Sequence, residues 1–195
     1  MSITRKVAFF GAVGMSAVLL VAGCGSSTGS GPAAKSASAS ATGLPIAEDV
    51  PSGFKPCTDI PKAVLDSEGL HSTGDATSNA DMTRGKVKWR GCGWVVSDGY
   101  GVGVTVTNLT LDMVRAKQFP GARESTVAGR IVLITHQSQD QVNKTNCTLN
   151  AQMQGGSLEF SVDNPASRKK TGNQYSCDIA LTLAEKVVPL IPAGA

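Results

Sequence analysis

The residues of this 195-residue chain best suited to chemistry are five cysteines. A cysteine thiol can be acylated, oxidised to a disulfide or used to hold zinc. Zinc sites use cysteines in close pairs, often with histidine. The cysteines here are far apart, and neither His71 nor His136 lies near one of them in the sequence. We therefore expect no metal site, and no motif indicates another cofactor. The cysteines are Cys24, Cys57, Cys92, Cys147 and Cys177.

The N-terminus has the pattern of an export signal. Arg5 and Lys6 precede an uncharged apolar run over residues 7–21. This run is shorter than the roughly 20 residues that a transmembrane helix needs, so we expect it to be cleaved. The segment Val21-Ala22-Gly23-Cys24 at its end resembles the lipobox of bacterial lipoproteins. The resemblance implies that residues 1–23 are removed and that a diacylglycerol on Cys24 anchors the chain to the extracytoplasmic face of the cell membrane.

Four cysteines remain when Cys24 carries lipid, and an even number in an exported chain indicates disulfides. Four cysteines allow three pairings. We favour Cys57 with Cys92 and Cys147 with Cys177, because each pair joins a predicted helix to the nearest predicted strand. On the chain-entropy model each bond contributes about 3 to 4 kcal/mol to stability.

Composition divides the mature chain into a tether and one domain. Residues 24–50 are dominated by Gly, Ser, Ala and Thr, without apolar periodicity, and are predicted to form a flexible tether. Residues 51–195 are enough for one domain with one core. The chain has 18 Lys and Arg against 15 Asp and Glu. The two basic residues of the signal leave with it, so the mature protein is nearly neutral and has no general attraction to nucleic acid.

A row of cations is the main charged feature of the domain. Arg84, Lys86, Lys88 and Arg90 alternate with other residues, and period two places them on one face of a predicted strand. Four cations in a row suit an anionic envelope ligand or an acidic partner. The alternative is an edge strand that its charges keep from aggregating.

In the first predicted strand, the apolar positions change from odd to even residue numbers. Its apolar positions are Val87 and Trp89 before Gly91, and Cys92 and Trp94 after it. A one-residue bulge at Arg90-Gly91 explains the change. Both tryptophans are then expected in the core. Asp98-Gly99 turns the chain into a second strand, and residues 131–134 form a third, while the polar residues 71–83 are predicted to be a loop.

The clearest hairpin lies around Gly155-Gly156. Apolar and polar residues alternate on both sides of it, over 147–154 and 157–162. A two-residue Gly-Gly turn pairs Met153 with Leu158 and Ala151 with Phe160, which places the apolar side chains of both strands on one face.

Three short helices complete the prediction. Asp59 and Pro61 start one over 60–68, and Thr110 starts a second that ends at Pro120. The third covers 176–188, with its apolar residues on one side. The expected fold is α+β: an antiparallel sheet of five or six strands, two or three helices packed on one face, and two disulfides.

Each of the four remaining cysteines has a distinctive setting: Pro56-Cys57, Cys92-Gly93-Trp94 in a strand, Cys147 in a later strand, and a C-terminal helix that begins at Cys177. Together these positions resemble a family of small actinobacterial lipoproteins defined by a domain of unknown function. The layout is similar, more distantly, to the extracellular sensor domains of mycobacterial receptor serine/threonine kinases, which implies a ligand-binding groove. Neither resemblance implies catalytic residues.

No hydrolase, metalloprotease, nucleotide-binding or dinucleotide-binding motif occurs in the chain, and both histidines are expected to be exposed. We therefore expect a non-enzymatic module that binds an envelope ligand or an exported partner protein. The alternative is a carrier or sensor of a small apolar ligand or lipid, held in a cleft between helix and sheet.

Overall fold

A computed structural model describes residues 44–72, 79–136 and 145–195. The predicted signal, Cys24 and the tether up to residue 43 lie outside this part of the chain. Within it, no helix is long and apolar enough to cross a lipid bilayer. The helices are α1 (Pro56–Asp59), α2 (Lys62–Ser67), α3 (Leu111–Arg115) and α4 (Ser176–Val187). The strands are β1 (Leu70–His71), β2 (Met82–Arg84), β3 (Val87–Val96), β4 (Gly101–Thr107), β5 (Arg123–Val127), β6 (Arg130–Thr135), β7 (Asn146–Met153) and β8 (Gly156–Asp163).

The strands form one antiparallel sheet in the order β1-β3-β4-β8-β7-β6-β5, with β2 also paired to β3. In the described residues the sheet has eight strands rather than the predicted five or six. The extra ones are short or polar: β1 has two residues, β2 has three, and most of β5 is exposed. Their sequences lack the apolar alternation that reveals a half-buried strand, so the polar segment 71–83 was wrongly predicted to be loop throughout.

The main core lies between the sheet and α4, on what we call the α4 face. Alternate residues of β4, β6, β7 and β8 point there, and α4 covers them with its apolar side. Phe160 of β8 and Leu149 of β7 are directly opposite each other at its centre, and both are fully buried. This arrangement follows from period two in the strands and 3.6 in the helix.

Two disulfides join helices to this sheet. Cys57 of α1 is bonded to Cys92 of β3, and Cys147 of β7 to Cys177 of α4. These are the two pairs that the sequence favoured. The second is buried, with Cys147 2% and Cys177 0% exposed. It therefore fixes the N-terminal end of α4 on the central strands.

One helix packs against the other side of the sheet, which we call the second face. Leu111 and Val114 of α3 form a separate cluster with Leu133 of β6. Leu133 alternates with Val132 and Ile134, which belong to the main core, so it points the opposite way. The prediction that the helices share one face is therefore wrong for α3.

The β7-β8 hairpin has the predicted faces but another register. Met153 pairs with Gly156 and Ala151 with Leu158, so the turn residues are Gln154 and Gly155. Gly155 has the positive φ (78°) that the turn requires, whereas a side chain on Gly156 would collide with the Thr107 carbonyl. The shift keeps the same residues on each face, because side chains repeat every two positions.

Strand β3 has no bulge. Its pairing with β4 runs unbroken from Trp89 opposite Thr107 to Val95 opposite Gly101. Residues Trp89 and Trp94 therefore point to opposite faces. Trp94 is in the main core, but Trp89 is only partly buried on the second face. The apolar positions change from odd to even numbers because the first half of β3 has its apolar residues on the second face and the other half has them on the α4 face.

The ends of the first predicted helix and of the tether also differ from prediction. Helix α2 begins at Lys62, after the separate turn α1, rather than running over 60–68. The domain begins before residue 51: the Ala47 carbonyl accepts a hydrogen bond from Asn108, and Val50 packs against the core.

Candidate functional site

The second face of the sheet has a polar centre. Glu159 of β8 lies between Thr105 of β4 and Asn150 of β7 in one cross-strand row. Thr105 and Asn150 are buried, at 6% and 1% exposure. Ser157 is also fully buried; its hydroxyl donates to the Leu109 carbonyl (2.7 Å) and lies 3.2 Å from Asn150 Nδ2. A buried polar surface of this kind needs hydrogen-bond partners, and here the partners come from its own strands and from the segment that leads into α3.

A cleft of about 320 Å³ opens over this polar centre. One wall comes from β2 and β3 and the other from α3 and the segment after it, while β6, β7 and β8 supply the floor. The volume is in the range of small-molecule sites. The lining residues are Arg84, Val87, Trp89, Leu109, Val114, Lys117, Phe119, Thr135, His136, Thr148, Asn150 and Glu159.

Glu159 is the one carboxylate among these residues. Its Oε2 accepts hydrogen bonds from Trp89 Nε1 (3.2 Å) and from Asn150 Nδ2 (3.3 Å). Among the described residues no donor reaches Oε1. This oxygen is also not buried, because the one buried side-chain oxygen or nitrogen without a partner among those residues belongs to Tyr100. Oε1 is therefore open to the cleft. Burial raises the pKa of Glu159, and the bonds from Trp89 and Asn150 oppose that rise only in part.

The four predicted cations do not share one strand face. Arg84 belongs to β2, Lys86 lies in the following turn, and Lys88 and Arg90 belong to β3. Arg84 pairs with Val87 and lines the cleft. Lys88 and Arg90 point to the α4 face, where they lie 3.5 Å from Asp49 and 3.8 Å from Asp81. Gly85, with φ of 60°, lies in the tight turn between β2 and β3. Because of this turn, Arg84 and Lys86 do not lie on the strand that carries Lys88 and Arg90.

His136 is nearly buried, at 9% exposure, so the expectation that it is exposed is wrong. One ring nitrogen lies 3.3 Å from the Asn146 carbonyl, and the other lies 2.5 Å from the Tyr175 hydroxyl and 3.5 Å from Cys177 Sγ. The ligand atoms of His136, Cys147 and Cys177 are within 4.8 Å of one another, but the two sulfurs are bonded in the disulfide. Hydrogen bonds on both sides therefore hold the His136 ring next to the buried disulfide. His71 is exposed, as expected.

A second, largely apolar groove of about 380 Å³ lies on the α4 face, under the segment that enters the domain. Val50, Pro51 and Phe54 line one side, and Val106 and the Cys57 end of the first disulfide line the other. Here a helix and the sheet enclose apolar space. This is the kind of site that the alternative function, a carrier of a small apolar ligand, requires.

The pH dependence of stability tests the environment of Glu159. Because its pKa is raised on folding, the folded protein holds this proton more tightly than the unfolded chain, and that contribution is lost as the pH rises through the folded pKa. We expect Glu159→Gln to be more stable than the wild type at about pH 8, with the gain disappearing below about pH 4. Urea unfolding at both pH values measures it.

Glu124→Gln is the matched control for that experiment. Glu124 is exposed on β5, and its hydrogen bond with Arg115 (2.6 Å) lowers its pKa. The same substitution is therefore expected to have the opposite sign, with a slight loss of stability at neutral pH. Equal stability of Glu159→Gln and the wild type at every pH would contradict the raised pKa.

The fold and the cleft define a class: a disulfide-linked α+β domain with one antiparallel sheet, covered on both faces, and a ligand-sized cleft with a single carboxylate at its floor. The chain belongs to the family described as protein of unknown function (DUF3558), whose model matches residues 19–190. No curated protein and no solved structure matches the chain.

Sequence reasoning did not find Glu159 or Asn150. Both stand at the polar positions of alternating strands, where a solvent-exposed side chain is the ordinary expectation. The available signal was Trp89, an apolar residue on the same side of β3 as those polar positions. The bulge that we predicted at Arg90-Gly91, which the structure does not contain, hid that signal because it placed both tryptophans on one face.

Proposed function

We propose that this chain is a lipid-anchored binding module on the extracytoplasmic face of the cell membrane, and that the cleft around Glu159 holds its ligand. The observation that carries the proposal is a ligand-sized cleft whose floor presents a carboxylate oxygen that no described residue contacts with a hydrogen bond. An open carboxylate oxygen at the floor of a concave, ligand-sized site is a place where a donor group of a ligand can bind.

Several features favour binding over catalysis. Among the described lining residues, the cleft contains one carboxylate rather than the pair that glycoside hydrolysis uses. Its histidine is already engaged by Tyr175 and by the Asn146 carbonyl. The predicted export signal and the lipobox-like segment support the location, and the disulfides suit an oxidising compartment.

The test is to block the cleft and ask what the protein loses. Thr148 lines the cleft on β7, and a tryptophan in its place would fill much of the space. We expect native mass spectrometry of the protein purified from its own envelope to show a retained small molecule on the wild type and none on Thr148→Trp. Thr126→Trp, on the exposed edge strand β5, is the control and is expected to keep the molecule.

The same measurement distinguishes the second candidate function, a carrier of an apolar ligand. A retained fatty-acyl molecule that survives Thr148→Trp would place the ligand in the apolar groove beside Phe54. A polar molecule that survives it, or a wild-type protein that retains nothing, would contradict binding in the cleft.

A further inference from the structure

The cleft presents charges of both signs that do not pair with each other. Glu159 lies at the floor, and Arg84 and Lys117 lie on opposite walls. Among the described residues neither cation has an ion-pair partner. In the part of the chain that the structure describes, the donors to Glu159 are neutral: the indole of Trp89 and the amide of Asn150. Opposite charges that share a cleft without contact leave room for a ligand that contacts both.

The floor is suited to a positively charged group. Both protein donors use Oε2 of Glu159, which leaves Oε1 open. A partly buried carboxylate without a cation lacks the interaction that best offsets its desolvation. An ammonium group would supply it and is small enough to approach Oε1 beside Trp89, whose aromatic ring is also favourable to cations.

The walls are suited to an anion. Lys88, Arg90 and Arg115, which point elsewhere, each lie near an aspartate. Arg84 and Lys117 are both exposed, and within residues 44–72, 79–136 and 145–195 neither has an acidic neighbour of this kind. Two cations on facing walls suit a phosphate or carboxylate at the mouth, since such groups form charge-assisted bonds with Arg and Lys.

We propose that the cleft selects a small zwitterion, with its ammonium group on Glu159 and its phosphate or carboxylate between Arg84 and Lys117. The assignment rests on the proposed function, because it names the ligand class of the same cleft. It leaves the apolar side chains Val87 and Phe119 to pack against the carbon atoms that join the two charges.

Three probes of similar size test this selection in the full-length lipoprotein, purified in an uncharged maltoside detergent. Phosphoethanolamine carries both charges, ethanolamine only the ammonium, and propyl phosphate only the anion. The readout is the NMR signal of the Trp89 indole N–H, which donates to Glu159. We expect phosphoethanolamine to bind about tenfold or more tightly than either single-charge probe, since each charged contact contributes at least that factor.

Three variants assign the two ends. Glu159→Gln is expected to reduce the affinity for phosphoethanolamine to that for propyl phosphate and to leave propyl phosphate unchanged. Arg84→Gln is expected to weaken both phosphate probes. Lys86→Gln removes the same charge from the adjacent turn, outside the cleft, and is expected to change neither.

Propyl phosphate that binds as tightly as phosphoethanolamine, or a Glu159→Gln protein that keeps the preference, would overturn the zwitterion. So would the absence of any shift of the Trp89 signal with all three probes. If one of these results is found while Thr148→Trp still abolishes retention of the native molecule, the zwitterion proposal is wrong but binding in the cleft stands. If Thr148→Trp has no effect on retention, the proposed function itself fails.

Discussion

A variant with alanine at both Cys147 and Cys177 is expected to lose about 3 to 4 kcal/mol of unfolding free energy. The bond closes a loop with a sequence separation of 30, and without it the unfolded chain regains the entropy of that loop. Both sulfurs are buried between β7 and α4, so the change also removes packing at the base of the helix. Urea unfolding under non-reducing conditions measures the loss.

The other disulfide provides the control. Cys57 and Cys92 have a similar separation of 35, so the chain-entropy account predicts nearly the same loss for their double alanine variant. Cys57 is exposed, whereas Cys177 is fully buried. We therefore expect the Cys147 and Cys177 pair to be the more damaging to remove. A loss below about 1 kcal/mol there would show that the bond does not fix α4.

Changing Cys24 to Ala is expected to abolish lipid attachment completely. Burial of the two acyl chains stabilises membrane residence by about 0.8 kcal/mol per methylene group, so this thiol accounts for nearly all of the proposed anchoring. Growth with a labelled fatty acid should label the wild type and leave Cys24→Ala unlabelled. In cell fractionation, the processed form of the variant should be found in the soluble fraction.

Ser26→Ala is the matched control, because it changes a small residue two positions beyond the cysteine and leaves the lipobox-like segment intact. It is expected to be labelled and membrane-bound like the wild type. Fatty-acid label on the Cys24→Ala protein would show that the lipid is attached elsewhere and that the predicted mature N-terminus is wrong.

The architecture was predictable wherever a residue pattern reports directly on burial. Alternation from Cys147 to Val162 identified the β7-β8 hairpin and its buried face, and the apolar side of 176–188 identified α4. The two cysteine pairs were favoured over the other pairings because each joins a predicted helix to the nearest predicted strand, and both pairs are present in the structure. These signals are local, so they survive without knowledge of the rest of the fold.

The register of that hairpin was less predictable, because two adjacent glycines offered two turns. Gly155 takes the left-handed conformation, and Gly156 is needed instead where the strand passes close to the Thr107 carbonyl of β4. The contact of Gly156 with β4, a strand outside the hairpin, is what decides which glycine lies in the turn and which begins β8. The edge strands β1, β2 and β5 were missed for a related reason, since pairing rather than apolar burial defines them.

By itself, the sequence favoured the two cysteine pairs, predicted an export signal and a lipid anchor, and indicated an antiparallel α+β fold. Only the tertiary structure decided which polar residues meet. Glu159, Asn150 and Trp89 come from three strands, and Arg84 and Lys117 from segments on either side of them. The strand pattern assigns a side chain to a face, but a face becomes a cleft only when a distant segment, here the one that contains α3, covers part of it.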